Sequence, residues 1–309
     1  MILPGPALSI VVPVYDEEGN VAPLHAELTA VARGLGLPYE ILFVNDGSRD
    51  GTLARLEEIR RRDDDFRIVD LDGNFGEAAA LSAGFQHARG AVIVTLDGDG
   101  QNDPADIPRL LARLGPDVDV VSGRRQERKE AWLSRVLPSR IANGLIVAAT
   151  GVSVHDCGCG LKAYRREVVA GTRLPRGMNR FLPAILGINP SRVAEVTVND
   201  RRRGSGSSHY GLSRTFVVLR DLLALPILVR RAPRGRTLVR ALGGAQAALV
   251  GVMLLAILGA LGWPANRGIA LVVAAAAVLG ACAGWAVAHN LNRWVIAQRD
   301  GVFRVRRVV

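Results

Sequence analysis

Residues 91–104 read AVIVTLDGDGQNDP. The run Ala91–Leu96 is short, apolar and β-branched, so it predicts a buried strand. It stops at Asp97-Gly98-Asp99-Gly100-Gln101, where two carboxylates and a side-chain amide stand within five residues. Similar apolar runs precede it at Leu8–Val14, Glu40–Asn45 and Phe66–Leu71, and Val118–Ser122 follows it. Helical patterns fill the intervals near 20–33, 52–62, 77–88 and 104–114. Near-continuous Val/Ile/Leu strands alternating with helices predict an α/β fold, a doubly wound, mainly parallel sheet with helices on both faces. Such sheets bind ligands beyond the carboxyl ends of their strands.

Acids stand at those ends. The first strand runs out into Pro13-Val14-Tyr15-Asp16-Glu17-Glu18, and the second into Asn45-Asp46-Gly47-Ser48. No G-x-G-x-x-G follows the first strand and no G-x-x-x-x-G-K-[ST] occurs, which excludes the usual dinucleotide and P-loop sites. Carboxylates at three neighbouring strand ends suit a nucleoside held through base and ribose, with a divalent cation bridging its diphosphate. Asp97 also opens like an EF-hand loop. That loop needs Gly at its sixth position and Glu at its twelfth, where this chain has Asn102 and Pro108, so calcium chemistry of that kind is excluded.

The 309 residues carry a net charge of +10 that conceals an asymmetry. Residues 1–100 hold 17 acids against 8 bases, and residues 101–309 hold 12 against 31. An acidic half suits a cation-assisted site, and a basic half suits phosphate or an anionic membrane leaflet. With 7 Phe, 4 Trp and 4 Tyr, none interleaved with the basic clusters, a base-stacking nucleic-acid groove is not expected. Cys157, Cys159 and Cys282 show neither zinc spacing nor a disulfide framework, and His25, His87 and His155 have no metal spacing. The N-terminus lacks a basic n-region, so no signal peptide is expected. Lys129 and Lys162 are the only lysines in a chain that otherwise uses arginine.

The last third is strongly apolar. Leu242–Gly262 and Ile269–Ala288 contain no charged residue. At ~1.5 Å per residue each matches the ~30 Å hydrocarbon core, predicting a two-helix transmembrane hairpin. Arg230, Arg231, Arg234, Arg236 and Arg240 precede it, Arg293, Arg299, Arg304, Arg306 and Arg307 follow it, and the loop between offers only Arg267. This bias places body and tail in the cytoplasm, anchored as a multi-pass protein of the inner (cytoplasmic) membrane. Leu212–Arg231 is apolar with Arg214, Arg220 and Asp221 interspersed, and predicts an amphipathic helix lying on anionic lipids. The expected organisation is thus a cytosolic domain at 1–211, a juxtamembrane segment at 212–237, the hairpin at 238–290 and a basic tail at 291–309. Small residues in both spans, Gly243, Gly251, Gly280 and Gly284 among them, permit close helix packing and a homo-oligomer.

Five segments in order, VVPVYDEEGN, VNDGSRDGT, GNFGEAAALSAG, LDGDGQNDP and GCGLKAYRREV, resemble the family 2 glycosyltransferases. More narrowly they are similar to the polyprenyl-phosphate branch, which includes dolichol-phosphate mannosyltransferases and bacterial undecaprenyl-phosphate sugar transferases. The resemblance covers roughly residues 8–232. It implies a GT-A-like domain with Pro13, Tyr15, Glu17 and Asp46 at the donor nucleotide. It implies Mg²⁺ or Mn²⁺ on the donor diphosphate at Asp97, Asp99 and Gln101. It further implies that Arg124 and Arg125 lie near the acceptor phosphate, with Lys162 where many relatives carry Arg. Arg201 and Arg203 fall in a basic, glycine-containing loop that meets phosphates. There relatives commonly read Ser-Lys, whereas Ser208 is followed by His209, whose charge titrates near ~6.5.

The chemistry so implied needs few protein groups. A nucleoside diphosphate sugar loses its diphosphate as negative charge builds, which a divalent ion offsets. A polyprenyl phosphate, with a second pKa of about 6, is largely a dianion at neutral pH. It can attack directly and invert the anomeric carbon, so no catalytic base is named. Asp97, Asp99, Arg124 and Lys162 are the expected catalytic set. A transferase of the same fold acting on a lipid hydroxyl such as diacylglycerol would need a general base. A catalytically silent membrane scaffold would have no use for Asp97, Asp99 and Gln101.

Overall fold

A computed structural model describes residues 5–125, 154–201, 251 and 267–309. The chain divides into two compact units, Met1–His209 with Asp300–Val309, and Tyr210–Arg299.

The first unit is built on an eight-stranded sheet. Its strands are β1 (Leu8–Val14), β2 (Tyr39–Asn45), β3 (Phe66–Leu71), β4 (Val92–Thr95), β5 (Val120–Arg125), β6 (Lys162–Arg165), β7 (Val193–Val198) and β8 (Val305–Val308), in the order β7-β5-β6-β4-β1-β2-β3-β8. β1 pairs in parallel with β2 and β4, β2 with β3, and β5 with β7. β6 runs antiparallel to both β4 and β5, so β5 and β7 point the same way as β4. β8 is antiparallel to β3. The sheet is therefore α/β as expected but mixed, because β6 and β8 run antiparallel to their neighbours; neither four-residue strand has a continuous apolar run that would announce it in the sequence.

Side chains alternate across a strand, so one sheet yields two cores. Ile10 and Val12 of β1 pack with Leu24 and Leu28 of α1 (Glu18–Gly34), Leu56 of α2 (Thr52–Arg60) and Ile107 and Leu110, all within 3% exposure. Val11, Leu42 and Val44 face the other way, onto Ala80, Ala83 and Phe85 of α3 (Glu77–His87). Helices thus cover both faces. The stretch expected as one helix at 104–114 begins with a tight turn at Pro104–Asp106 before α4 (Ile107–Arg113). Shorter helices α5 (Arg166–Val169) and α6 (Leu182–Ile185) lie between β6 and β7.

The topology has one consequence for the site. β1 to β5 and β7 all end at the same sheet edge. The chain leaves the described sheet at that edge after Arg125 and again after Arg201. It also returns there through Gly301–Arg304, because Leu71 at the end of β3 pairs with Val305 at the start of β8.

In the second unit, α7 spans Arg267–Asp300 and contains the predicted span Ile269–Ala288. Its Val272–Gln298 portion, 27 residues that include an 18-residue stretch of mean hydropathy 1.8, is the single helix among the described residues long and apolar enough to cross a membrane. Val272 and Leu279 are about 70% exposed, unlike residues of a core helix. The segment expected as a basic tail, 291–309, is instead divided between the end of α7 and β8. The other predicted span, Leu242–Gly262, and the amphipathic segment Leu212–Arg231 lie outside the described residues.

Candidate functional site

The loops that follow β1 and β2 are stitched to each other by their acids and hydroxyls. Asp16, with a left-handed φ of 53°, receives a hydrogen bond at Oδ1 from the Arg49 amide at 2.7 Å, and its own amide donates to Ser48 Oγ at 3.0 Å. The Glu17 amide donates to Thr52 Oγ1 at 2.9 Å, and the Glu17 carboxylate accepts from Asn20 Nδ2 at 2.5 Å. Pro13, Tyr15 and Glu17 stand half-buried along this rim. Asp46 is buried beneath it, its two oxygens accepting from the Phe75 and Gly76 amides at 2.7 and 2.8 Å. Burial pushes the Asp46 carboxyl up, against those two bonds and the nearby Arg176 guanidinium. Asp46 therefore fixes the turn into α3 while keeping lone pairs for a further donor.

Asp97 and Asp99 lie on the turn that ends β4. Asn102, itself buried, accepts the Asp97 amide at Oδ1 (3.0 Å), and Asp99 Oδ1 accepts the Gln101 amide at 3.1 Å. At Gly98 a Cβ would come within 2.8 Å of the Pro13 carbonyl, so the acidic turn rests directly on the end of β1. The turn is also tied to the chain leaving β7. The Arg201 amide donates to the Gln101 carbonyl at 2.9 Å, and Asn102 bridges Asp200. Burial, then the charges of Glu77 and Asp99, push the Asp97 carboxyl up to about 7, against Lys162 and Arg125.

A carboxylate so crowded by other carboxylates is relieved by a cation. The donors are hard oxygens, which suit Mg²⁺ or Mn²⁺. Among the described residues no three His, Cys, Asp or Glu side chains converge as a complete ion cage. That fits an ion held by one or two carboxylates and completed by substrate phosphates and water. Asp97 and Asp99 would be its protein ligands, with Gln101 beside them.

The basic residues differ in what they already hold. Arg124 is exposed, and among the described residues it makes no ion pair or side-chain hydrogen bond. Arg125 is clasped to Asp156, Nε and Nη2 donating at 2.8 and 3.0 Å. Lys162 is 5% exposed, its ammonium donating to the carbonyls of Cys157 and Cys159. Arg201 is shared between Glu27 and Asp103, both at 2.6 Å. Arg203 and His209 lie outside the described residues. His25 is held by Asp63 and His155 by Glu195, as structural histidines are. Burial pushes the Cys159 thiol up to about 11, so it stays protonated at neutral pH.

Sequence reasoning assigns no role to Glu77, Asn102 or Asp156, and gives Gly160 only a place in a tight loop. Glu77 falls within GNFGEAAALSAG, and Asp156 and Gly160 lie at or just before the GCGLKAYRREV segment, but their contacts come from residues distant in sequence. Glu77 begins α3 and accepts from Asn179 Nδ2 at 2.6 Å.

The model of the family described as Glycosyl transferase family 2 matches residues 9–171. A dodecaprenyl-phosphate galacturonate synthase of Rhizobium johnstonii is 41% identical over 252 residues, covering 80% of this chain and 75% of the relative. An undecaprenyl-phosphate 4-deoxy-4-formamido-L-arabinose transferase of Pseudomonas aeruginosa is 38% identical over 218 residues, covering 70% and 64%. Among solved structures, the fold matches glucosyl-3-phosphoglycerate synthase from Mycobacterium tuberculosis at a TM-score of 0.55 and 19% identity, covering 72% of this chain and 79% of that one. That enzyme was crystallised with Mn²⁺, UDP-glucose and phosphoglyceric acid.

Proposed function

This chain belongs to glycosyl transferase family 2, and from that premise we propose that it moves a sugar from a nucleoside diphosphate sugar to a polyprenyl phosphate, undecaprenyl phosphate being the expected acceptor. The observation that carries the reading is the sheet edge itself. It holds the acidic Asp97–Asp99 turn, the Arg124 guanidinium, which has no ion pair among the described residues, and the two points where the chain leaves for and returns from its apolar last third.

The rim formed by Pro13, Tyr15, Glu17 and Asp46 receives the nucleoside. Asp97 and Asp99 hold the cation, which when bound supplies Lewis-acid neutralisation of the leaving diphosphate. Arg124 draws in the lipid phosphate and holds it against its anionic partner. A phosphate oxygen then forms the bond to the anomeric carbon from the face opposite the diphosphate. The departing C–O electron pair stays on the nucleoside diphosphate, and the configuration inverts. Because the attacking phosphate is already ionised, the protein has no proton to remove.

Detergent-purified protein given Mn²⁺, undecaprenyl phosphate and a panel of UDP- and GDP-sugars should release nucleoside diphosphate only when the lipid is present. Equal transfer to diacylglycerol would instead favour the hydroxyl-acceptor reading. In the same assay Arg124→Ala removes a charge-assisted contact worth about 1.5–3 kcal/mol, which lowers acceptor-dependent kcat/KM about ten- to a hundred-and-fifty-fold. Nucleotide affinity measured by calorimetry should stay unchanged, and a comparable loss there would move Arg124 to the donor side.

We further infer an even number of membrane crossings between Arg201 and β8. β8 belongs to the same sheet as the site, so the chain must return to the side it left. With α7 as one crossing, Leu242–Gly262 is the expected other. A reporter fused after Val309 should read as cytoplasmic and a tag within Trp263–Arg267 as periplasmic. The reverse result for the Val309 fusion would overturn the hairpin.

A further inference from the structure

We propose that Lys162, together with the Arg125–Asp156 pair, is a positioning residue that holds the 156–161 loop as the floor beneath Asp97. The inference rests on the reading of Asp97 as a metal ligand, and it gives Lys162 a different task from contact with the acceptor phosphate. Gly160 is the point of contact. A Cβ there would fall 2.3 Å from Asp97 Oδ1, so the bare glycine backbone lies directly against the carboxylate.

The loop is fixed at each turn. Arg125 grips Asp156 with its backbone amide as well as its guanidinium, at 3.2, 2.8 and 3.0 Å. Thr95, the last residue of β4 and two before Asp97, donates its hydroxyl to the Gly160 carbonyl at 2.9 Å. The Gly123 amide takes the Leu161 carbonyl at 2.8 Å. Between these ties, Lys162 crosses back under the loop and donates to the carbonyls of Cys157 and Cys159. Its register places it between Thr95 of β4 and Ser122 of β5, in the middle of the sheet. A buried ammonium with two of its three donors on loop carbonyls is poorly placed to meet a lipid phosphate. It is well placed to fix the height of Gly160, and through it the position of Asp97.

The test uses full-length protein in detergent and Mn²⁺ alone, its binding followed through the free-ion EPR signal. Lys162→Met and Asp156→Asn should each weaken Mn²⁺ binding about 10–100-fold, as loss of a group supporting a metal ligand does. Gly160→Ala should act in the same direction by displacing Asp97. Thermal melting of the metal-free protein reports whether each variant folds, and Asp156→Asn stands in if Lys162→Met does not. In turnover, the half-activating Mn²⁺ concentration should rise while the KM for undecaprenyl phosphate stays within about twofold of the parent. Folded variants with parental Mn²⁺ affinity would overturn the proposal, as would a defect confined to the lipid KM. Wild-type protein that binds no Mn²⁺ and transfers sugar in chelator would overturn the metal reading and the proposal with it, a failure visible in the wild-type curve alone.

Discussion

Asp99→Ala protein should fold and melt as the parent does yet transfer sugar at least about a thousand-fold more slowly, a loss of about 4 kcal/mol of transition-state stabilisation. The turn that carries Asp99 lies outside the hydrogen-bonded strands, and its side chain accepts the Gln101 amide within that turn. Little packing is lost with the carboxylate. On the proposed reading, what disappears is one of the two carboxylates that would hold the ion. Chelator applied to the wild type should reproduce the loss, and added Mn²⁺ should reverse it. Full turnover in chelator would remove the metal from the mechanism. A pH series adds a sign to the prediction. With Asp97 pushed up to about 7, the metal-free site below that pH carries a proton the ion must displace. The half-activating Mn²⁺ concentration should rise about tenfold for each pH unit below about 7 and level off above it.

Ending the chain after Gly301 should destabilise the catalytic unit by about 3 kcal/mol or more. Asp70 is fully buried in β3, and its carboxylate meets Arg306 at 3.4 Å and Arg307 at 3.7 Å, with Asn45 Nδ2 donating at 2.8 Å. Removing β8 leaves that charge with one neutral partner. Stripping a buried ion pair costs about 3–5 kcal/mol, and the lower end applies because both guanidiniums are half-exposed. The backbone bonds between Ile68 and Val309, at 2.9 and 3.0 Å, and between Asp72 and Arg304, at 2.9 Å, are lost as well. A fall in melting temperature of about 6–12 °C is expected for a unit of this size. The double variant Arg306→Ala/Arg307→Ala keeps the strand and isolates the charge contribution. A truncated protein melting within a degree or two of the parent would show that β8 carries no stability.

The elements most legible in the sequence are those whose environment is local. β1 and β3 have the bounds their runs predict, because strands buried on both faces are largely apolar, with Arg67 and Asp70 the exceptions in β3. α3 is found where its alanine-rich pattern predicts. β6, β7 and β8 were not read, for they sit beside the parallel core with charged or alternating residues. The site divides the same way. The placement of Asp97, Asp99 and Asp46 just beyond strand ends was legible because each follows a continuous apolar run. The basic residues were not, since an arginine's task depends on its partner. Asp156 lies 31 residues from Arg125, and Glu27 lies 174 from Arg201. Lys162 is the extreme case, because its partners are backbone carbonyls, which every residue has.

The antiparallel pairing of β8 with β3 also sets a clock. β3 leaves the ribosome 234 residues before β8 begins, which at about 5–20 residues per second is a delay of roughly 10–50 s. Through that interval the nascent sheet presents an unpaired flank, with Asp70 lacking both of its counter-ions, an invitation to misassociation that only translation through α7 removes. On the proposed topology α7 enters the bilayer before the transferase can close its sheet. Maturation of the enzyme and its delivery to the bilayer then become one event in time, and a chain stalled in insertion stays unfinished as a catalyst.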